Sequence, residues 1–156
     1  MEKWKQHLGV YGIYNNNEKL LVIRKTRGPY INRFDLPGGS FDENESITQC
    51  LVRELQEEIG HTFYPTKMIG TYDYLIPWKI KEFTHLHHLA TYFEIESSKE
   101  LKFESVVADD SAGYEMVSID TLTESNASPL VMEAVNYLKE NSTSYNLKRY
   151  DDWKPL

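Results

Sequence analysis

The 156-residue chain has one cysteine, Cys50, so no disulfide can form within it, and a reducing compartment is the expected setting. It has no apolar run near the roughly 18 residues that a membrane span needs. The segment from Met1 to Gly9 carries charges and no apolar centre, so it does not read as a secretory signal. Basic residues are in short supply: 17 Lys and Arg stand against 24 Asp and Glu, a formal net charge of -7. That balance argues against a grip on a nucleic-acid backbone, which needs a basic stripe. It still admits a small phosphorylated substrate, because a bound cation reverses the local sign. The chain shows no internal repeat and no low-complexity tract. The expectation is a cytoplasmic protein with no nucleic-acid polymer and no membrane as partner; homodimerisation stays open.

Apolar residues make up 40% and charged residues 26%, a globular balance that excludes disorder as the main state. The length suits one domain, placed at residues 1–141, with 142–156 a tail that either packs on the body or stays loose. Leu8 to Tyr14 and Leu20 to Lys25 read as strands joined by a tight turn at Asn15-Asn16-Asn17-Glu18, a hairpin. Ile47, Leu51, Leu55 and Ile59 recur every four residues and predict a helix over Ile47 to Ile59, stopped by Gly60. Met68 to Ile76, Phe83 to Glu96 and Glu115 to Ile119 read as further strands. Ser128 and Pro129 open a second helix that runs to Glu140. Strands, helix, strands, helix make an α/β (α+β) protein with a mixed central sheet.

The first helix has a second face, carrying Glu54, Glu57 and Glu58 at spacings of three and four. Clustered carboxylates repel, and a divalent cation removes the repulsion. Mg²⁺ prefers oxygen ligands and is usually shared between carboxylates and substrate phosphates. A solvated acidic face is the competing explanation. Pro37-Gly38-Gly39 precedes the helix, and glycines let a backbone carbonyl approach a ligand closely.

Read together, Gly39-x5-Glu45-x7-Arg53-Glu54-Leu55-Gln56-Glu57-Glu58-Ile59-Gly60-His61 resembles the Nudix box. Only His61 departs, standing where the family carries a bulky aliphatic residue. The resemblance implies a Nudix-like alpha/beta/alpha sandwich and a hydrolase that directs water onto a phosphorus of a diphosphate. Mg²⁺ is the implied cofactor, with Mn²⁺ as a substitute. Carried onto this sequence, the implied metal ligands are Glu54, Glu57, Glu58 and the Gly38 carbonyl. Arg53 would orient a glutamate, Glu45 would brace the loop, and Glu54 is the first choice of general base. Asp110 stands where some relatives carry an additional metal-binding acid. The implied substrates are nucleoside triphosphates, ADP-ribose or nucleotide sugars. A non-catalytic nucleotide-sensing module on the same fold is the alternative, and an isomerase or RNA-decapping enzyme lies further off.

Arg24, Tyr72 and Trp78 are candidates for substrate contact, the aromatics because they can stack on a base. Pro77, beside Trp78, resembles the proline of the ADP-ribose pyrophosphatase group. His85, His87 and His88 could hold a transition metal. Alternation along a strand turns His88 away from the other two, and lining a sheet surface or a substrate cleft is the preferred reading. Cys50, beside Leu51, is expected to pack rather than react.

Overall fold

Side chains alternate along a strand, so a strand that is apolar on both faces needs cover on both. Val10, Tyr11 and Ile13 are all buried, and they place their strand in the middle of a sheet. The structure is a computed structural model that describes residues 1–99, 111–141 and 145–156. Its strands are β1 (Trp4–Ile13), β2 (Asn15–Asn16), β3 (Lys19–Lys25), β4 (Phe34–Asp35), β5 (Gly38–Ser40), β6 (Phe63–Ile80), β7 (Phe83–Ser97), β8 (Ser111–Ser118) and β9 (Lys148–Arg149). Its helices are α1 (Ile47–Ile59) and α2 (Pro129–Glu140). One sheet is mixed, in the order β5-β1-β7-β6-β9. In the other, β3 pairs antiparallel with β2, β4 and β8.

The helices lie on opposite sides of this strand layer. Tyr11, Ile13, Tyr74, Ile76 and Tyr92 join Leu130, Val131 and Ala134 of α2 in one core. Val10, Leu21, Ile23 and Phe93 join Leu51, Leu55 and Ile59 of α1 in the other. Neighbouring residues of β1 thus feed opposite cores, as strand alternation requires. The result is an alpha/beta/alpha sandwich.

Both helices keep the bounds expected from their local signals. Ser46 Oγ accepts from the Gln49 N–H at 3.2 Å, and Gln49 Oε1 accepts from the Ser46 N–H at 2.9 Å, a reciprocal cap on α1. Gly60 ends that helix in the left-handed region, at φ 75°. Ser128 caps α2, with Pro129 in its first turn.

The expected hairpin of the first two long strands is not formed. β1 runs parallel to β7 and antiparallel to β5, while of the residues before it β3 pairs with Asn15–Asn16 and reaches back as far as the Tyr14 carbonyl. The turn itself is present: Asn17 and Glu18 both take positive φ, 50° and 61°, the geometry of a tight hairpin turn. The chain changes sheets at Tyr14, because β1 is claimed on both edges by partners distant in sequence.

Residues 145–156 dock on the body. β9 pairs parallel with Tyr74 and Leu75 of β6. The Trp153 indole N–H donates to the Pro29 carbonyl at 2.7 Å, and the Arg33 guanidinium lies 4.5 Å from the Trp153 ring centre. Trp153→Ala removes a ring, a hydrogen bond and a cation contact, an expected loss of about 2 kcal/mol. Calorimetry should show the melting temperature falling by several degrees. An unchanged value would mean that the tail adds nothing to stability.

Candidate active site

A cleft of about 900 Å³ opens where α1, β5 and the loop after β3 meet the exposed half of the mixed sheet. Glu54, Glu57 and Glu58 reach it from α1, and Gly38 and Gly39 from β5. Amphipathic packing explains the placement: the apolar stripe of α1 is buried in its core, which turns the acids toward the sheet edge. Glu58 is buried, Glu54 half-buried and Glu57 exposed.

Glycine at two adjacent positions lets β5 sit this close. Gly38 has φ 141°, and a Cβ there would lie 2.1 Å from the Val10 carbonyl oxygen. A Cβ on Gly39 would lie 2.6 Å from the carboxyl carbon of Glu54. The glycine backbone and the Glu54 carboxylate therefore form one surface with no side chain between them.

Arg53 organises the acids from behind. Its Nη1 donates to Glu54 Oε1 at 3.1 Å and to Glu57 Oε1 at 3.3 Å. Its Nη2 donates to Glu45 Oε2 at 2.9 Å and to the Ser40 carbonyl at 3.0 Å, and its Nε also donates to Glu45. Glu45 in turn accepts from the Asp42 N–H at 2.9 Å, so it ties the loop to the helix. The Arg53 hydrogen bond, aided by that N–H, holds the Glu45 carboxyl down at about 2, and the Glu45 hydrogen bond raises Arg53. Cys50 is fully buried, and burial pushes its thiol up to about 12, which suits packing and not nucleophilic attack.

The donor set fits a hard divalent cation: three carboxylates and a main-chain carbonyl beside glycines that leave room for close approach. Among the described residues no three His, Cys, Asp or Glu side chains stand together closely enough to hold a metal ion unaided, so waters and substrate phosphates would have to complete the set. An open arrangement suits Mg²⁺, which keeps waters and takes further ligands from phosphates.

The other candidates separate. Trp78 lines the cleft, near Ile80 and Leu86. Arg24 does not; it pairs with Glu115 at 3.4 Å and lies over the Phe34 ring. Tyr72 also does not; it is buried with its ring edge-on to Tyr92 at 5.4 Å. Asp110 lies outside the described residues. His61 meets Tyr114 edge-on at 6.5 Å, a packing contact at the end of the box. His87 bonds Asp73 at 2.7 Å on the far side of the sheet from His88.

The rest of the cleft lining was not read from the sequence, except that the histidines of β7 were expected to line a sheet surface or a substrate cleft, and His88 does. Lys5, Lys25 and Arg27 bring cationic groups to it, and His7, Tyr11, Tyr30 and His88 line its floor. The alternation Lys5, His7, Tyr11 along β1 was the available signal. His88 bridges two tyrosines: its Nε2 is 2.8 Å from the Tyr11 hydroxyl and its Nδ1 2.8 Å from the Tyr30 hydroxyl. Burial, with His7 adding to it, holds His88 well below the usual imidazole range, and burial raises both tyrosines.

A family model described as the NUDIX domain matches residues 4–138. The chain is 30% identical over 76 residues to an ADP-ribose pyrophosphatase of Methanocaldococcus jannaschii, covering 46% of this chain and 45% of that protein. It is 31% identical over 78 residues to an 8-oxo-dGTP diphosphatase of Escherichia coli, covering 49% of this chain and 59% of that protein. These matches span about half the length of the curated relatives. Among solved structures, a MutT NUDIX hydrolase from Burkholderia pseudomallei superposes with a TM-score of 0.68 at 20% identity. That superposition covers 85% of this chain and 97% of the other, and it speaks for the fold.

Proposed function

The chain belongs to the Nudix family, and from that premise we propose that it hydrolyses the diphosphate bond of a nucleoside diphosphate linked to another group. The observation that carries this reading is the shared surface of Glu54 and the Gly38-Gly39 backbone, with Glu57 and Glu58 beside it and cationic side chains across the same cleft. The named relatives, an ADP-ribose pyrophosphatase and an 8-oxo-dGTP diphosphatase, act on substrates of this class.

Glu54, Glu57, Glu58 and the Gly38 carbonyl would hold Mg²⁺, or Mn²⁺ in its place. When bound, the ion supplies charge neutralisation at the phosphate oxygens and orientation of the attacking water. Glu54 takes the proton of that water as it attacks phosphorus, and the anhydride oxygen leaves with the departing group. Arg53 is a positioning residue: its hydrogen bonds fix Glu54 and Glu57 relative to the helix. Lys5, Lys25 and Arg27 attract the phosphate chain, and Trp78 with Leu86 and Ile80 offers an apolar seat for the nucleoside.

The experiment is a panel of nucleoside triphosphates, ADP-ribose, nucleotide sugars and dinucleoside polyphosphates, with Mg²⁺ and with EDTA. Release of phosphate, pyrophosphate or a nucleoside monophosphate with Mg²⁺ only is the expected result. Tight binding across the panel with no turnover would favour the nucleotide-sensing module instead.

A further inference from the structure

The floor of the cleft holds an arrangement that the hydrolytic machinery does not use. Tyr11, His88 and Tyr30 form a chain of two hydrogen bonds, each 2.8 Å long, with His88 in the middle. A neutral imidazole has one N–H and one bare nitrogen, and each tyrosine has one O–H. Three hydrogens therefore serve two bonds, and one is left over whichever tautomer forms. If Nε2 carries the proton, His88 donates to Tyr11 and accepts from Tyr30, and the Tyr11 O–H is spare. If Nδ1 carries it, the Tyr30 O–H is spare. Among the described residues neither hydroxyl has a second hydrogen-bond partner. All three side chains line the cleft, so the spare hydrogen has the cleft to point into.

The sequence makes room for this arrangement. A Cβ on Gly9 would lie 2.5 Å from the Tyr11 hydroxyl and 2.8 Å from its ring. Glycine at that position lets the Tyr11 ring lie along β1 toward His88, whose partner in the β1–β7 register is His7. Burial keeps His88 uncharged, so the spare donor is neutral.

We propose that the Tyr11–His88–Tyr30 chain is a substrate-reading element that presents one neutral hydroxyl donor to an acceptor atom on the nucleoside part of the substrate. This rests on the reading of the cleft as a nucleotide site. Two features assign the donor to the nucleoside and not to the phosphates. First, Tyr11 pairs with Gly38 at the acidic end, and His88 stands two residues along β7 from Leu86 at the apolar end, so the chain lies between the two. Second, Lys5, Lys25 and Arg27 already bring positive charge to the cleft for the phosphates, which leaves the hydroxyl for a neutral acceptor. A base carbonyl, a ring nitrogen or a ribose oxygen is the matching chemistry.

Tyr11→Phe and Tyr30→Phe each remove only a hydroxyl and keep the ring, which melting temperatures will confirm. Affinities for ATP, GTP, CTP and UTP are measured by calorimetry, with Ca²⁺ replacing Mg²⁺ to suppress turnover, and tripolyphosphate serves as a probe without a nucleoside. One variant should weaken the best-bound nucleotide about tenfold and the other less than about threefold, with tripolyphosphate changed by less than about twofold in both. Nucleotide affinity that is unchanged in both variants, equal losses in both, or a loss shared by tripolyphosphate would overturn the proposal. Wild-type protein that binds none of the four nucleotides, and neither ADP-ribose nor a nucleotide sugar, would instead refute the nucleotide-site reading itself, before any variant is examined.

Discussion

Glu57→Gln and Glu58→Gln each lower kcat by about three orders of magnitude or more, with little change in melting temperature. Glutamine keeps the shape of glutamate and removes its negative charge. The fold gains little from that charge: Glu57 is exposed and its pair with Arg53 is a surface one, Glu58 is buried where an amide is easier to hold than a carboxylate, and the clustered acids repel each other when no cation is present. Chemistry at a diphosphate does need it, because the ion that screens the phosphates is held by these oxygens in the proposed mechanism. Full turnover in either variant would refute the assignment. Loss of turnover together with unfolding would show that the acid serves the fold.

Gly38→Ala is the most damaging single methyl that the site can receive. The new Cβ would stand 2.1 Å from the Val10 carbonyl oxygen and 2.8 Å from the Tyr11 Cα, both backbone atoms. Neither can swing aside as a flexible side chain can, so β5 has to leave β1. The φ of 141° adds strain of its own. The expected loss is about 3 kcal/mol or more in denaturant unfolding, with activity lost as the β5 backbone moves from Glu54. Gly28→Ala is the comparison: φ is 81° there, but nothing lies within 4 Å of the added Cβ. It should cost only the left-handed strain, about 1–2 kcal/mol. Equal losses in the two variants would mean that backbone strain, and not the collision with β1, sets the cost.

How much of this was legible in the sequence follows the range of each interaction. The two helices were legible to their end residues, because the apolar repeat that starts at Ile47, and Gly60, Ser128 and Pro129, are local signals. The shared helix face of Glu54, Glu57 and Glu58 was legible in their spacing, and all three line the cleft; the metal role came from the family resemblance and not from spacing. Strand pairing was not. β1 finds its parallel partner at residues 85–94, and nothing local in Trp4–Ile13 announces it. The hairpin expectation failed on that point although its turn was correct. The same limit hid the cationic and tyrosine side of the cleft, which long-range pairing assembles from β1, the loop after β3 and β7. Tyr72 shows the converse: its strand alternation is regular, but the face it shares with Tyr74 turns into the α2 core.

In the proposed mechanism the acidic face of α1 holds a divalent cation beside a phosphate chain. Counting bound Mn²⁺ by paramagnetic resonance, with a nucleotide present, tests it most directly. Wild-type protein should bind at least one ion that Glu57→Gln or Glu58→Gln fails to retain. Equal Mn²⁺ occupancy in wild type and in both variants would contradict it.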